Sequence, residues 1–225
     1  MSVIGRVAAR ALDLAFPASC AGCGREGDPI CATCLPALDA RLDLPPGVQI
    51  GLPADLPEGI LQVEWCAPFA GVVRDALHQL KYSGERRLAV PLGEAIARRW
   101  TRARAGGEML VPVPVHRDRA AQRGYDQAVL LAVAAGRALR LPVAEALERW
   151  QATTAQFQLD RRARATNVAG AFRPRAVNAV APVRGRWIVL VDDVMTTGAT
   201  LSACAEVLLA QGAIGVSAVT VARER

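Results

Sequence analysis

Trp187-Ile-Val-Leu-Val-Asp-Asp-Val-Met-Thr-Thr-Gly-Ala-Thr-Leu201 decides where the rest of this chain belongs. The unbroken apolar run from Trp187 to Val191 fits a parallel strand covered on both faces better than the alternating pattern of a half-exposed one. Asp192 and Asp193 then fall at its carboxyl end, the edge at which open α/β sheets bind ligands. Thr196, Thr197, Gly198, Ala199 and Thr200 follow, and their small side chains leave backbone N–H groups accessible to a phosphate. Leu201, Cys204 and Leu208 share one helical face, which predicts a helix from about Thr200 to Gln211-Gly212 whose N-terminus favours an anion. Two carboxylates beside a hydroxyl-rich loop suit a sugar phosphate: the acids accept from ribose hydroxyls while the loop holds the phosphate. The competing reading is an ordinary Asp/Thr/Gly turn after a strand. A nucleotide P-loop is excluded because no lysine follows Gly198, and the dinucleotide fingerprint G-x-G-x-x-G occurs nowhere in the chain.

At 225 residues and 52% apolar content the chain can bury a core, and it reads as one main domain with an appendage. The formal charge is +6, and Lys81 is the one lysine among 27 basic Lys and Arg residues. Many of the arginines fall between Arg117 and Arg186, a pattern that permits binding of pyrophosphate or nucleic acid, or a merely solvated basic surface. No apolar run approaches the ~18–20 residues of a membrane span. Arg6, Arg10 and Asp13 interrupt what would otherwise resemble a signal peptide, so a cytoplasmic protein is expected. Val3, Val7, Ala11 and Leu14 instead suggest a short amphipathic helix.

Cys20, Cys23, Cys31 and Cys34 form two C-x-x-C knuckles, with Gly22, Gly24 and Gly27 allowing tight turns. Four thiolates surround one zinc ion tetrahedrally, so the spacing points to a compact, structural zinc ribbon; an iron–sulfur site or a redox pair are the alternatives. Leu42 to Glu64 reads as linker, which sets a boundary near Gln62: residues 1–61 hold the helix, ribbon and linker, and residues 62–225 the main domain. Val73, Ala76, Leu77 and Leu80 predict one helix and Leu88, Leu92, Ala95, Ile96 and Trp100 a second, both ahead of the next strand. Leu110 to Val115 is an abbreviated strand, because Pro112 and Pro114 lack ladder donors. Arg117, Arg119 and Arg123 then lie on a loop on the acid pair's side of the sheet, with Asp126 as the N-cap of a helix from about Ala128 to Leu139. Pro142 to Trp150 allows another strand. Thr153 to Phe172, with Gln156, Leu159, Arg161, Arg162, Arg164 and Asn167, reads as a basic lid that would exclude water from an activated sugar. Val216 to Val221 supplies the last strand.

The V-D-D-V-M-T-T-G-A-T run resembles the PRPP-binding motif of type I phosphoribosyltransferases, PRPP being phosphoribosyl pyrophosphate. Together with the cysteine knuckles, L-K-Y-S-G, V-P-V-P-V-H, R-x-x-x-R-G-Y-D-Q and Q-x-x-L-x-x-x-x-R-x-x-N, it makes nearly the whole chain similar to the ComF family. That resemblance implies a mostly parallel sheet with flanking helices of the type I phosphoribosyltransferase kind, preceded by a small zinc ribbon, and a link with competence and DNA uptake. It also implies PRPP as ligand, Mg²⁺ as its companion and a nitrogen acceptor. Carried onto this chain, it marks Asp192, Asp193, Lys81 and Arg123 as catalytic and Thr196 to Thr200 as PRPP-binding. Arg119, Arg123, Gln156, Arg164 and Asn167 become pyrophosphate or lid residues. Three departures stand out. Family members often carry further paired cysteines where this chain has Leu44 to Glu64, with Cys66 left as a remnant; Tyr125 and Asp126 replace the usual Phe and Asn; and Thr196 stands where purine-salvage relatives often have an acid. A non-catalytic PRPP sensor, or a factor joining competence or DNA-processing proteins and weakly binding single-stranded DNA, is the alternative function.

Overall fold

The computed structural model describes residues 17–47, 59–151, 170–175 and 183–224. In chain order the elements are β1 (Ala18–Ser19), β2 (Glu26–Gly27), a 3₁₀ turn (Leu35–Asp39), β3 (Val63–Pro68), α1 (Gly71–His78), a π-helical turn (Gln79–Ser83), a 3₁₀ turn (Arg86–Leu88), α2 (Ala89–Arg102), β4 (Met109–Pro112), α3 (Arg117–Arg123), α4 (Gln127–Leu139), β5 (Leu147–Arg149), β6 (Phe172–Pro174), β7 (Trp187–Met195), α5 (Ala199–Ala210) and β8 (Gly215–Arg223).

The main sheet has the order β3-β8-β7-β4, and every neighbouring pair is parallel. Continuous apolar character puts β7 inside it, and alternate residues serve opposite faces. Val189 and Val191 pack with Leu92, Ile96, Leu131 and Ala135 of α2 and α4, whereas Ile188 and Leu190 pack with Leu201, Cys204 and Leu208 of α5.

The first correction concerns the acid pair, which lies within β7, two residues short of its end, rather than at the end itself. β8 continues to Arg223 and pairs Asp192 with Thr220 and Val194 with Ala222, so the strand reaches Met195. On the other side, β4 stops where Pro112 pairs with Val191, because Pro112 and Pro114 have no N–H to extend the ladder. Asp192 and Asp193 therefore sit where β7 outruns β4, on the carboxyl edge of the sheet, where open α/β sheets bind ligands.

A second correction is β3, an edge strand for which the sequence reading made no allowance, and whose Glu64 is fully buried. A third is residues 142–150. Only Leu147–Arg149 forms a strand, and it pairs antiparallel with β6 outside the main sheet, while Val143 makes an isolated bridge to Leu110. The loop expected after β4 is in part the short helix α3, closed by Gly124 in the left-handed region. Both helices expected before β4 are present, and α5 starts at Ala199. The suggested N-terminal helix and linker residues 48–58 lie outside the described residues.

Arg99 of α2 and Glu64 of β3 form a buried pair, with Nε and Nη2 donating to Oε2 at 2.9 and 2.6 Å. The same guanidinium donates to the carbonyls of Arg41 at 2.6 Å, Leu42 at 3.2 Å, Leu44 at 2.8 Å and Pro45 at 3.2 Å. Glu64 also accepts from the Gly47 N–H at 2.7 Å and from Gln62 at 2.8 Å. This network fastens the segment behind the cysteine module to the main sheet.

Candidate active site

The acid pair does not stand alone. Lys81 Nζ lies 2.8 Å from Asp193 Oδ2, and the two side chains are 20% and 7% exposed. Lys81 reaches the sheet because α1 ends in the π-helical turn 79–83, which Gly84 closes in the left-handed region. That turn is stitched to the start of α4: the Tyr125 hydroxyl donates to the Leu80 carbonyl, the Arg86 guanidinium lies over the Tyr125 ring at 4.5 Å, and that of Arg123 over the Tyr82 ring at 5.1 Å. Asp126 completes the constellation. Its Oδ1 caps α4 by accepting from Ala128 N at 2.9 Å and Val129 N at 3.4 Å, and its Oδ2 accepts from Val115 N at 3.0 Å.

Electrostatics follows from this crowding. Burial, and then the Asp193 charge, push Asp192 well above the usual carboxylate range, with Asp126 adding to the effect; the Asp193 N–H, donated to Asp192 Oδ1 at 2.8 Å, and the Lys81 charge pull the other way. Burial opposes the charge on Lys81, but the charge and hydrogen bond of Asp193, with Asp192 behind it, raise the ammonium above its ordinary value. Burial also raises Asp126, despite its three backbone donors.

A pH prediction follows. An acid with a raised folded-state pKa lends stability that is complete below its unfolded value and is lost as pH rises through the folded value. Asp192→Asn removes that loss while keeping an oxygen for the Asp193 N–H. Thermal unfolding across pH should show the variant melting above the parent once pH passes the usual carboxylate range, and converging with it in acid. A variant melting below the parent at neutral pH would contradict this.

Beyond the acids, Thr196 and Thr197 are exposed, Gly198 turns at φ 82°, and α5 begins at once. A side chain at that φ would be strained, so glycine sets the sharp turn between the loop and the start of α5. Arg119 is exposed on α3, and Arg123 donates to Gln127 Oε1 at 2.8 Å. Arg149 on β5, not singled out from the sequence, is close enough to both Arg119 and Asp192 to feel their charges. It went unnoticed because an arginine in a three-residue strand carries no spacing signal. A cleft of about 180 Å³ between the β4 end and the β5–β6 hairpin is lined in part by Arg117, Asp126, Glu148 and Arg149. The structure thus brings Lys81, Asp192 and Asp193 together, with the 196–200 loop next along the chain. Gln156, Arg164 and Asn167 of the expected lid lie outside the described residues.

A second cluster lies in the N-terminal module. The Cys20, Cys23, Cys31 and Cys34 Sγ atoms all stand within 4.8 Å of one another, with Cys23 and Cys31 3.6 Å apart. Sulfurs about 2.3 Å from a central ion stand about 3.8 Å apart in a tetrahedron, so the set fits one metal ion. Burial pushes the Cys34 thiol up to about 12, helped by its sulfur neighbours, whereas for Cys20 the N–H groups of Cys31, Cys23 and Gly22 outweigh burial and hold it at about 6. A Cβ on Gly22 would meet Cys34 Sγ and Val72 at 2.8 Å, so the knuckle packs against α1 only with glycine there. Cys66 is apart from this set, buried in β3 with its thiol raised to about 12 by burial.

Residues 125–225 match the phosphoribosyl transferase domain family. Over 204 residues the chain is 32% identical to the DNA utilization protein YhgH of Escherichia coli (strain K12), covering 88% of this chain and 85% of that protein. It is 35% identical over 102 residues to competence protein F of Haemophilus influenzae, which is 45% of this chain and 44% of that one. The glutamine phosphoribosylpyrophosphate (PRPP) amidotransferase of B. subtilis, complexed with ADP and GMP, aligns with a TM-score of 0.42 and 16% identity, over 65% of this chain and 30% of that one. No described helix is long and apolar enough to cross a membrane.

Proposed function

Because the chain belongs to the ComF-like family of phosphoribosyltransferase-domain proteins and has the type I phosphoribosyltransferase fold, we propose that it binds PRPP at the carboxyl edge of β7 and transfers the phosphoribosyl group to a nitrogen acceptor. The observation that carries this reading is the acid pair with Lys81 2.8 Å from Asp193, followed directly by the 196–200 loop. Asp192 and Asp193 accept from the two ribose hydroxyls. The loop N–H groups, the threonine hydroxyls and the start of α5 hold the 5′-phosphate. Lys81 and the arginines of the β4–α4 segment stabilise negative charge as pyrophosphate leaves C1 with the bonding electrons, and the acceptor nitrogen attacks the oxocarbenium-like carbon and then sheds its proton. The carboxylates Asp192 and Asp193 offer the hard oxygen donors that suit Mg²⁺, which when bound with PRPP would supply charge neutralisation at the pyrophosphate. The test is pyrophosphate release from PRPP and Mg²⁺ in the presence of ammonia or amines.

The names of the relatives favour one further reading, a non-catalytic PRPP-binding factor in DNA utilisation or competence. Saturable PRPP binding without pyrophosphate release against any acceptor would select it.

Lys81→Arg separates a ligand role from a structural one. A bulkier, planar cation in the space of a compact ammonium should lower PRPP affinity about tenfold with little change in melting temperature. Unchanged affinity would make Lys81 a structural cation. For the cysteine cluster the expected ion is zinc, about one tightly held per chain, lost on Cys23→Ser or Cys31→Ser. Metal analysis near zero, or an iron–sulfur absorbance band, would contradict that.

A further inference from the structure

Lys81 reaches Asp193 on a long, flexible side chain, so the direction in which its backbone presents that stem decides whether the 2.8 Å contact forms. That backbone lies in the π-helical turn Gln79–Ser83, and the last four carbonyls of a helix lack intrahelical donors. Leu80, the residue before Lys81, supplies one of those carbonyls while its side chain is fully buried in the core. The donor its carbonyl finds is the Tyr125 hydroxyl, 45 residues along the chain.

Tyr125 is itself firmly held. Its ring packs against the same apolar core as Leu80, the Arg86 guanidinium covers that ring at 4.5 Å, and Arg86 Nη2 donates to the neighbouring Gly124 carbonyl at 3.4 Å. Asp126 follows at once, its two oxygens fixed by the N–H groups of Ala128, Val129 and Val115. Behind it, α4 packs on the face of β7 that carries Val189 and Val191. The contacts thus close a ring that starts and ends on β7: from α4 through Tyr125 to Leu80 and Lys81, and from Lys81 back to Asp193. A second contact joins the same two segments, Arg123 over the Tyr82 ring at 5.1 Å, but Tyr82 is 67% exposed. An exposed cation–π contact contributes less than a donor to a part-buried carbonyl, whose loss leaves the oxygen unsatisfied.

We propose that Tyr125 is a positioning residue, whose hydroxyl fixes the Leu80 carbonyl and thereby aims Lys81 at Asp193. Without the hydroxyl the turn relaxes, and the long stem of Lys81 lets its ammonium turn towards water. The consequence for PRPP binding rests on the function proposed above; the positioning itself does not.

Tyr125→Phe removes the hydroxyl alone and keeps the ring beneath Arg86. Because Lys81 is the one lysine of the chain, protein grown with isotope-labelled lysine gives a single side-chain ammonium signal by NMR. In the parent, an ammonium bonded to a carboxylate and sheltered from water should hold its protons long enough to be seen at neutral pH. In Tyr125→Phe that signal should be lost to exchange with water, whereas Tyr82→Leu, which removes the exposed contact on the same turn, should keep it. A parent without a sheltered ammonium, an unchanged signal in folded Tyr125→Phe, or an equal loss in Tyr82→Leu would overturn the proposal. The second measurement is PRPP affinity in a cycle with Lys81→Met. Tyr125→Phe should weaken binding roughly threefold to tenfold in the parent and less than about twofold where Lys81 is already Met. An equal loss in both backgrounds would show that Tyr125 does not act through Lys81. If the parent binds no PRPP, the PRPP reading alone fails, and the lysine signal still decides the positioning role.

Discussion

Asp192→Asn combined with Asp193→Asn should weaken PRPP binding roughly a hundredfold to ten-thousandfold. Each carboxylate that accepts from a ribose hydroxyl makes a charge-assisted hydrogen bond worth about 1.5–3 kcal/mol, and about 1.4 kcal/mol corresponds to tenfold in affinity. The replacement keeps side-chain volume, so the packing of Val189 and Leu190 beneath is untouched. It does remove the partner of Lys81, and the titration belongs at a temperature where circular dichroism shows the variant folded. Calorimetry with Mg²⁺ present measures the effect. A folded double variant that binds PRPP as tightly as the parent would place the ligand elsewhere.

Arg99→Ala should destabilise the fold by about 3–5 kcal/mol, because Glu64 would be left as an uncompensated charge in a fully buried position. For a chain of this size that corresponds to a melting temperature roughly 6–20 °C lower. Adding Glu64→Leu should recover only part of the loss, since the Arg41, Leu42, Leu44 and Pro45 carbonyls also lose their donor. Thermal and urea unfolding of the single and double variants give both numbers. A loss of under about 1 kcal/mol in Arg99→Ala would show that the pair does not anchor the N-terminal segment.

The parts of this protein legible in its sequence are those set by local pattern. Continuous apolar character marked β7 as buried, the i, i+3, i+7 spacing of Leu201, Cys204 and Leu208 marked α5, and Asp126 caps α4 as its position ahead of an apolar run suggested. Paired cysteines at fixed spacing likewise foretold the thiol cluster. What stayed hidden depends on partners distant in sequence. Glu64 falls at the end of the stretch read as linker, and the arginine that neutralises it and lets it be buried in β3 lies 35 residues away. Lys81 drew notice as the lone lysine, yet its contact with Asp193 requires the π-helical turn, which no residue pattern announces. The extension of β7 past its acids is likewise decided by β8, whose length gives the extra residues a partner.

The most direct test of the account is a calorimetric titration of the parent chain with PRPP in the presence of Mg²⁺, repeated with ribose 5-phosphate as competitor. The proposed function predicts saturable binding at one site per chain, with ribose 5-phosphate displacing PRPP because both would present the same hydroxyls to Asp192 and Asp193 and the same phosphate to the 196–200 loop. Failure of PRPP to saturate the protein, or saturation that ribose 5-phosphate does not affect, would contradict it.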